Sequence, residues 1–177
     1  MLALPLLAVF LLFPEGKVEE VLTHLAEVKR SPESQSFLLT EADINQFVER
    51  KVKASKAPGF ESLRLLLLGN GRLRIEAAVD VDKVKVEAFP FSGFSRLLNG
   101  RQTIRVDAVL RVDEGKGRLD VESAKISGVW IPAWLMSAAL AAVSKRQPPY
   151  IDVTEGFPLP YGIDEVKISK GKLEIVR

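Results

Sequence analysis

Residues 128–147, GVWIPAWLMSAALAAVSKRQ, decide how the rest of the chain is read. Pro132 stands at the first turn of a helix, where its missing N–H costs nothing, and Lys145 and Arg146 face the negative end of the helix dipole. Pro148 and Pro149 stop the helix. Between these limits Trp134, Leu135, Met136, Leu140 and Val143 alternate with Ser137, Ala138, Ala139, Ala141 and Ala142, which leaves no broad polar face. A helix apolar all round is expected to be enclosed. Most of the chain after residue 60 reads as β-strand. The expected architecture is therefore α+β, a long curved antiparallel sheet wrapped around this central helix.

The strands carry their own register. Leu63, Leu65 and Leu67 pair with Ala77, Ile75 and Leu73 across a Gly69-Asn70-Gly71 loop. The apolar phase of the second strand slips by one between Val81 and Val84, and a slip inside a strand marks a bulge that bends it. Ile104, Val106, Ala108, Leu110 and Val112 form the next inner face. A turn at Glu114 to Gly117 sets Val112 opposite Leu119, Leu110 opposite Val121 and Ala108 opposite Ser123. Arg105, Asp107, Arg111, Arg118, Asp120 and Glu122 fall on the other, wet face. A second slip between Ser123 and Ala124 predicts another bend. After the helix, Ile151 and Val153 read as a short strand and residues 157–162 as a stiff crossing. A two-residue turn at Lys170-Gly171 pairs Ile168 with Leu173 and Val166 with Ile175.

The N-terminal third is organised differently. Residues 1–14, MLALPLLAVFLLFP, carry no charged side chain; as a helix they reach about 21 Å, short of a ~30 Å hydrocarbon core. This fits a secretory signal or an N-terminal anchor, although neither a basic residue before the run nor a small-x-small cleavage site after it is present. An upstream start or retention as an anchor accounts for both, and a buried terminal helix is the plainer alternative. In residues 15–36, Val18, Val21, Leu22, Leu25 and Val28 have helical spacing, which predicts an additional N-terminal amphipathic helix or stalk, followed by the polar connector 31–36 as a domain boundary. Residues 37–177 then form a single α+β domain. Thr40-Glu41-Ala42-Asp43 has the form of a capping box, opening an amphipathic helix over 41–54.

Composition excludes much. With 177 residues, 47% of them hydrophobic, the chain can bury one domain's core, and its 25 basic and 23 acidic residues are interspersed, which argues against nucleic acid as a partner. There is no cysteine to form a disulfide, a thiolate metal site or a nucleophile. The single histidine, His24, lies in the N-terminal helix and reads as a solvated residue. No nucleophile elbow is present, and Gly69-Asn70-Gly71 and Gly115-Lys116-Gly117 lack the continuation of a phosphate loop and read as turns. No catalytic residue, metal ligand or cofactor is therefore assigned, and an enzyme built on paired carboxylates is the residual reading. The small residues of the helix let it sit close on the sheet, or leave room for an acyl chain. Phe89, Phe91, Phe94, Leu97 and Leu98 form a core plug under a loop, or a mouth or docking edge.

Several short motifs point further. Leu39-Thr40-Glu41-Ala42-Asp43-Ile44-Asn45 opening a helix, Val129-Trp130-Ile131-Pro132 leading into an apolar helix, Leu159-Pro160-Tyr161-Gly162-Ile163, and a terminal hairpin ending Gly171-Lys172-Leu173-Glu174-Ile175 resemble the LmeA-like phospholipid-binding proteins of bacterial envelopes. The resemblance covers about residues 37 to 177. It implies a shape like the tubular lipid-binding (TULIP) superfamily, with acyl chains between curved sheet and helix, and it carries over no catalytic set. The expected function is non-catalytic binding or transfer of a phospholipid or other acyl-chain lipid in the periplasm or cell envelope. Trp134, Leu135, Met136, Leu140 and Val143 would line the cavity from the helix, Leu73, Ile75, Val79, Ile104, Val106 and Leu110 from the sheet, with Phe89, Phe91 and Phe94 at the entrance. The partners expected are the lipid, a membrane surface or N-terminal anchor, and an envelope protein. The alternative is an assembly module of the envelope with a packed core, acting through protein contacts. A helix-grip or cystatin-like fold fits much of the same pattern.

Overall fold

The computed structural model describes residues 16–27, 34–55, 59–83, 99–145 and 151–177. In chain order the elements are α1 (Lys17–Glu27), β1 (Ser36–Thr40), α2 (Glu41–Ser55), β2 (Phe60–Gly69), β3 (Arg72–Asp80), β4 (Arg101–Asp113), β5 (Lys116–Ile126), β6 (Val129–Ile131), α3 (Ala133–Ser144), β7 (Phe157–Pro158), a 3-10 turn (Pro160–Gly162), β8 (Glu165–Ser169) and β9 (Lys172–Val176). The main sheet is antiparallel in the order β2-β3-β4-β5-β6, with β7 also paired to β5, and a second sheet has the order β1-β9-β8. A bridge between Leu68 and Lys170 joins the two. The main sheet is strongly curled into a half-barrel. Register shifts at Phe60/Ser62, Leu67/Gly69 and Asp107/Ala108 supply bends of the kind that bulges impose.

The β2–β3 and β8–β9 hairpins have the expected pairing: Leu63, Leu65 and Leu67 face Ala77, Ile75 and Leu73, and Ile168 and Val166 face Leu173 and Ile175. The β4–β5 hairpin differs by two residues. Its turn is Glu114-Gly115, both at positive φ, so Leu110 faces Leu119 and Ala108 faces Val121. A two-residue turn of that hand matches strand twist, and the glutamate tolerates it at a cost. The expected bend in β5 is present: Asp107 pairs with Ser123 and Ala108 with Val121, leaving Glu122 as the extra residue. The slip expected after Val81 falls largely outside the described residues; β3 itself ends at Asp80. Residues 151–153 are not a strand. Val153 instead accepts one hydrogen bond from Leu119 N–H, and the paired segment comes later, at Phe157–Pro158 against Lys116–Gly117.

The capping box closes as read. Thr40 N–H donates to Asp43 Oδ2 at 2.8 Å, and Asp43 N–H to Thr40 Oγ1 at 3.1 Å. The Thr40 hydroxyl also donates to Asp43 Oδ2 at 2.7 Å, and this bond, with that from the Thr40 N–H, draws the Asp43 carboxyl below its usual range. α2 then packs on β2, burying Ile44, Phe47 and Val48.

α1 is not a detached stalk. Val18, Val21, Leu22 and Leu25 are buried in the same core as Phe47, Leu67 and Phe157, and Arg177 near the C-terminus donates to the Leu25 carbonyl at 2.7 Å. The boundary drawn at 31–36 therefore does not separate α1 from the core. These four apolar side chains at helical spacing bury more when folded back than when solvated.

Candidate functional site: the concave apolar face

Strand pairing lines up the inner face of the half-barrel in rows. Leu65, Ile75, Val106, Ala124 and Ile131 form one row across five strands, and Leu63, Ala77, Ile104, Ile126 and Val129 form the next. Every member is apolar, as alternation demands of a face turned from water. The corresponding outer row, Arg64, Glu76, Arg105, Lys125 and Trp130, is charged apart from its last residue.

On that outer face the charges are matched by ion pairs. Arg74 Nε donates to Asp107 Oδ1 at 2.5 Å, and Ser123 Oγ donates to Asp107 Oδ2 at 3.1 Å. The Arg74 guanidinium holds the Asp107 carboxyl below the ordinary carboxylate range and is itself raised by it. Arg72 pairs with Glu122, Arg105 with Glu76, and Arg111 and Arg118 share Asp120. Each of these carboxylates is held by at least one arginine. Among the described residues no three His, Cys, Asp or Glu side chains are grouped to hold a metal ion. His24 is exposed and meets Phe37 edge-on at 5.4 Å.

α3 lies on the inner face, against β5. Met136 is buried there with Val106, Ala124, Ile126 and Ile131, while Leu135, Ala139 and Leu140 are half-buried beside them. The helix C-terminus is fastened. Ser144 is fully buried and donates to the Ala141 carbonyl, and Lys145 Nζ reaches Asp152 Oδ2 at 2.7 Å. Burial disfavours the charge on Asp152, but hydrogen bonds from Lys145 and Thr154 outweigh it and hold the carboxyl at about 2.

The helix is not wrapped on all sides. Trp134 is 70% exposed and Ala138 is exposed too, so the expected lining role of Trp134 does not match its position. The reason lies in the side chains. Of the described side chains of α3 only Trp134 and Ala138 are exposed; an alanine loses little by facing water, and only Trp134 stands out there.

The other expected lining residues divide between two packed groups. Leu73, Val79 and Leu110 are buried with residues of α1 and α2, and Val106, Leu135 and Met136 belong to the group under α3. Ile75, Ile104 and Leu140 touch both groups and are only half-buried. Phe89, Phe91 and Phe94 lie outside the described residues, as does the side chain of Val143. Sequence reasoning missed the apolar corner where β6 meets α3. Val129 is 64% and Trp130 60% exposed, next to Trp134. The signal was available, since these are the chain's two tryptophans and they stand four residues apart around a proline.

No protein-family profile matches the chain, and no curated protein matches it. Among solved structures, the chain is similar to the crystal structure of lipopolysaccharide binding protein, with 14% identity over 80% of this chain and 40% of that one and a TM-score of 0.27. The chain spans less than half of that protein's length, and a likeness of this degree carries no argument about what the chain binds.

Proposed function

We propose that the protein is a non-catalytic carrier that holds an acyl chain of a phospholipid or similar lipid on its concave face, beneath and beside α3, in the bacterial cell envelope. The observation that carries this reading is the half-buried state of Ile75, Ile104 and Leu140, at the place where the two packed groups meet, with Leu135 half-buried beside them under α3. Apolar side chains that their neighbours cover only in part gain from a hydrocarbon neighbour, at about 0.8 kcal/mol per methylene buried. The ion-paired outer face offers a lipid tail nothing comparable. Residues 1–14 would direct the chain to the envelope as a leader or an anchor. No cofactor or metal enters this reading.

The test is native mass spectrometry of the full chain, purified without detergent from a bacterial host, before and after organic extraction. Adducts of phospholipid mass that disappear on extraction are expected. A bare polypeptide mass, with no uptake from liposomes, would overturn the carrier reading and leave an assembly module whose core is fully packed. Fractionation of cells expressing the chain tests the compartment: recovery with the envelope is expected, and recovery in the cytosol removes that assignment.

A further inference from the structure

We propose that the corner made by the β5–β6 turn, β6 and the first turn of α3 docks edge-on into the interface of an anionic bilayer, through Val129, Trp130 and Trp134, with Lys125 on the phosphate plane. Five large hydrophobic side chains are exposed among the described residues, and three of them fall within these six positions. Scattered exposed apolar groups need no explanation, whereas a contiguous set marks an interaction site.

The kind of partner follows from orientation. Val129 pairs with Ile126, so it faces the inner side of the sheet, while Trp130 pairs with Lys125 and faces the outer side. Trp134 stands on the helix beyond them. A protein surface laid against either face would cover one of the two adjacent residues and leave the other in water. A fluid interface that receives the edge covers both at once. The tryptophans suit that depth, because indole carries a large apolar body and an N–H that must stay hydrogen-bonded. The free edge of β6 sets the limit. Among the described residues β6 pairs only with β5, and the backbone groups on its other side are served by water and headgroups at the interface and would be orphaned in the hydrocarbon core.

Charge points to anionic lipid. From Ala124 to Ser144 the sequence contains no acid, and Lys125 is its only charged residue. Lys125 is exposed, and its cross-strand neighbours are Arg105 and Trp130. A lysine beside interfacial tryptophan adds attraction to anionic headgroups.

The corner is braced. Ser127 N–H donates to the Thr103 carbonyl at 2.7 Å, Ser127 Oγ donates to Gln102 at 2.5 Å and accepts from Thr103 N–H at 3.3 Å. Ser127 and Gly128 both hold positive φ in the tight turn that these bonds fix. The edge is therefore presented as a fixed shape, and it stands whether or not the concave face holds an acyl chain.

Trp130 and Trp134 are the only tryptophans in the chain, so intrinsic emission reports on this corner alone. The full chain is titrated with vesicles of phosphatidylcholine, with and without phosphatidylglycerol, and with vesicles carrying brominated acyl chains. A blue shift and quenching by bromine are expected, stronger on the anionic vesicles. Lys125→Gln is expected to weaken partitioning onto anionic vesicles about fivefold and to leave neutral vesicles unaffected. Should residues 1–14 bring the chain to the vesicle by themselves, emission would still stay at its solvent-exposed position unless the corner is immersed. Emission unmoved and unquenched on vesicles overturns the proposal, as does an anionic preference that survives Lys125→Gln intact. A shift seen only with an envelope protein fraction, and not with lipid, overturns it in favour of a protein partner. Lipid occupancy by mass spectrometry is a separate readout, so docking and carriage can fail independently.

Discussion

Glu19 Oε2 of α1 lies 2.9 Å from Nη2 of Arg50 in α2, and Glu19 is only 5% exposed. A carboxylate sealed to that degree depends on its cation, whereas the cation, with a third of its side chain in water, depends less on the carboxylate. Arg50→Ala is therefore expected to cost about 2 kcal/mol, because it strands a buried charge. Replacing both residues by leucine should recover much of that loss. Thermal unfolding followed by circular dichroism checks the pair; a double variant no more stable than Arg50→Ala would mean that packing of the arginine stem, and not the charge, holds α1.

Asn45 closes the open edge of the main sheet. Its Nδ2 donates to the Leu65 carbonyl at 2.7 Å, and its Oδ1 accepts from Leu65 N–H at 2.7 Å, which is the pairing that a neighbouring strand would give. Two positions further along the edge, Glu41 Oε2 accepts from Leu67 N–H. A helix that covers an edge in this way removes a template for aggregation. Asn45→Leu should cost about 2 kcal/mol through the two orphaned backbone groups. Amide hydrogen exchange at Leu65 is the sharper measurement: protection should fall there, with Ile75 and Val106, deeper in the same row, little changed.

The Asp152 clamp gives the C-terminal end of α3 an acid limit. Its folded pKa, about 2, lies below the ordinary aspartate value of 3.8, so the carboxylate's contribution is complete above that value and is lost as pH falls through the folded one. Lys145 is half-exposed, so solvent screening reduces the expected contribution to about 1–2 kcal/mol. Asp152→Asn should lower the melting temperature at neutral pH, and the gap from the parent protein should narrow between about pH 4 and pH 2. A gap that persists unchanged to pH 2 would show that the asparagine lost shape and not charge.

Legibility in the sequence followed the range of the interactions. The capping box and the β2–β3 and β8–β9 hairpins rest on neighbours within about fifteen residues, and residue type alone specifies them. The β4–β5 register differs by two from the one the sequence predicts because its turn places Glu114 at φ 47, a conformation that a glutamate does not advertise. The polar stretch 31–36 looks like a boundary locally, yet Arg177 reaches Leu25 from 152 residues away and ties α1 to the core. For α3 the apolar composition was plain, but periodicity records which side chains a helix has and not which of them find neighbours. Composition alone therefore predicts Trp134 inside, and it stands outside.

Leu140 is the residue at which carriage and packing make opposite demands. It is half-buried and touches both packed groups, so a larger side chain would enter the space assigned to the acyl chain. Leu140→Trp is expected to abolish lipid uptake from liposomes while circular dichroism and cooperative unfolding stay close to those of the parent. Unchanged uptake would remove α3 from the site. Leu140→Ala completes the pair. In a sealed core that truncation costs about 2–5 kcal/mol, because neighbours relax only partly into the space left. Beside a lipid tail, which can shift to fill the gap, the loss should be well under half of that. A full cavity penalty in the lipid-loaded protein would show a core packed by side chains alone, and the carrier reading would fail at its central residue.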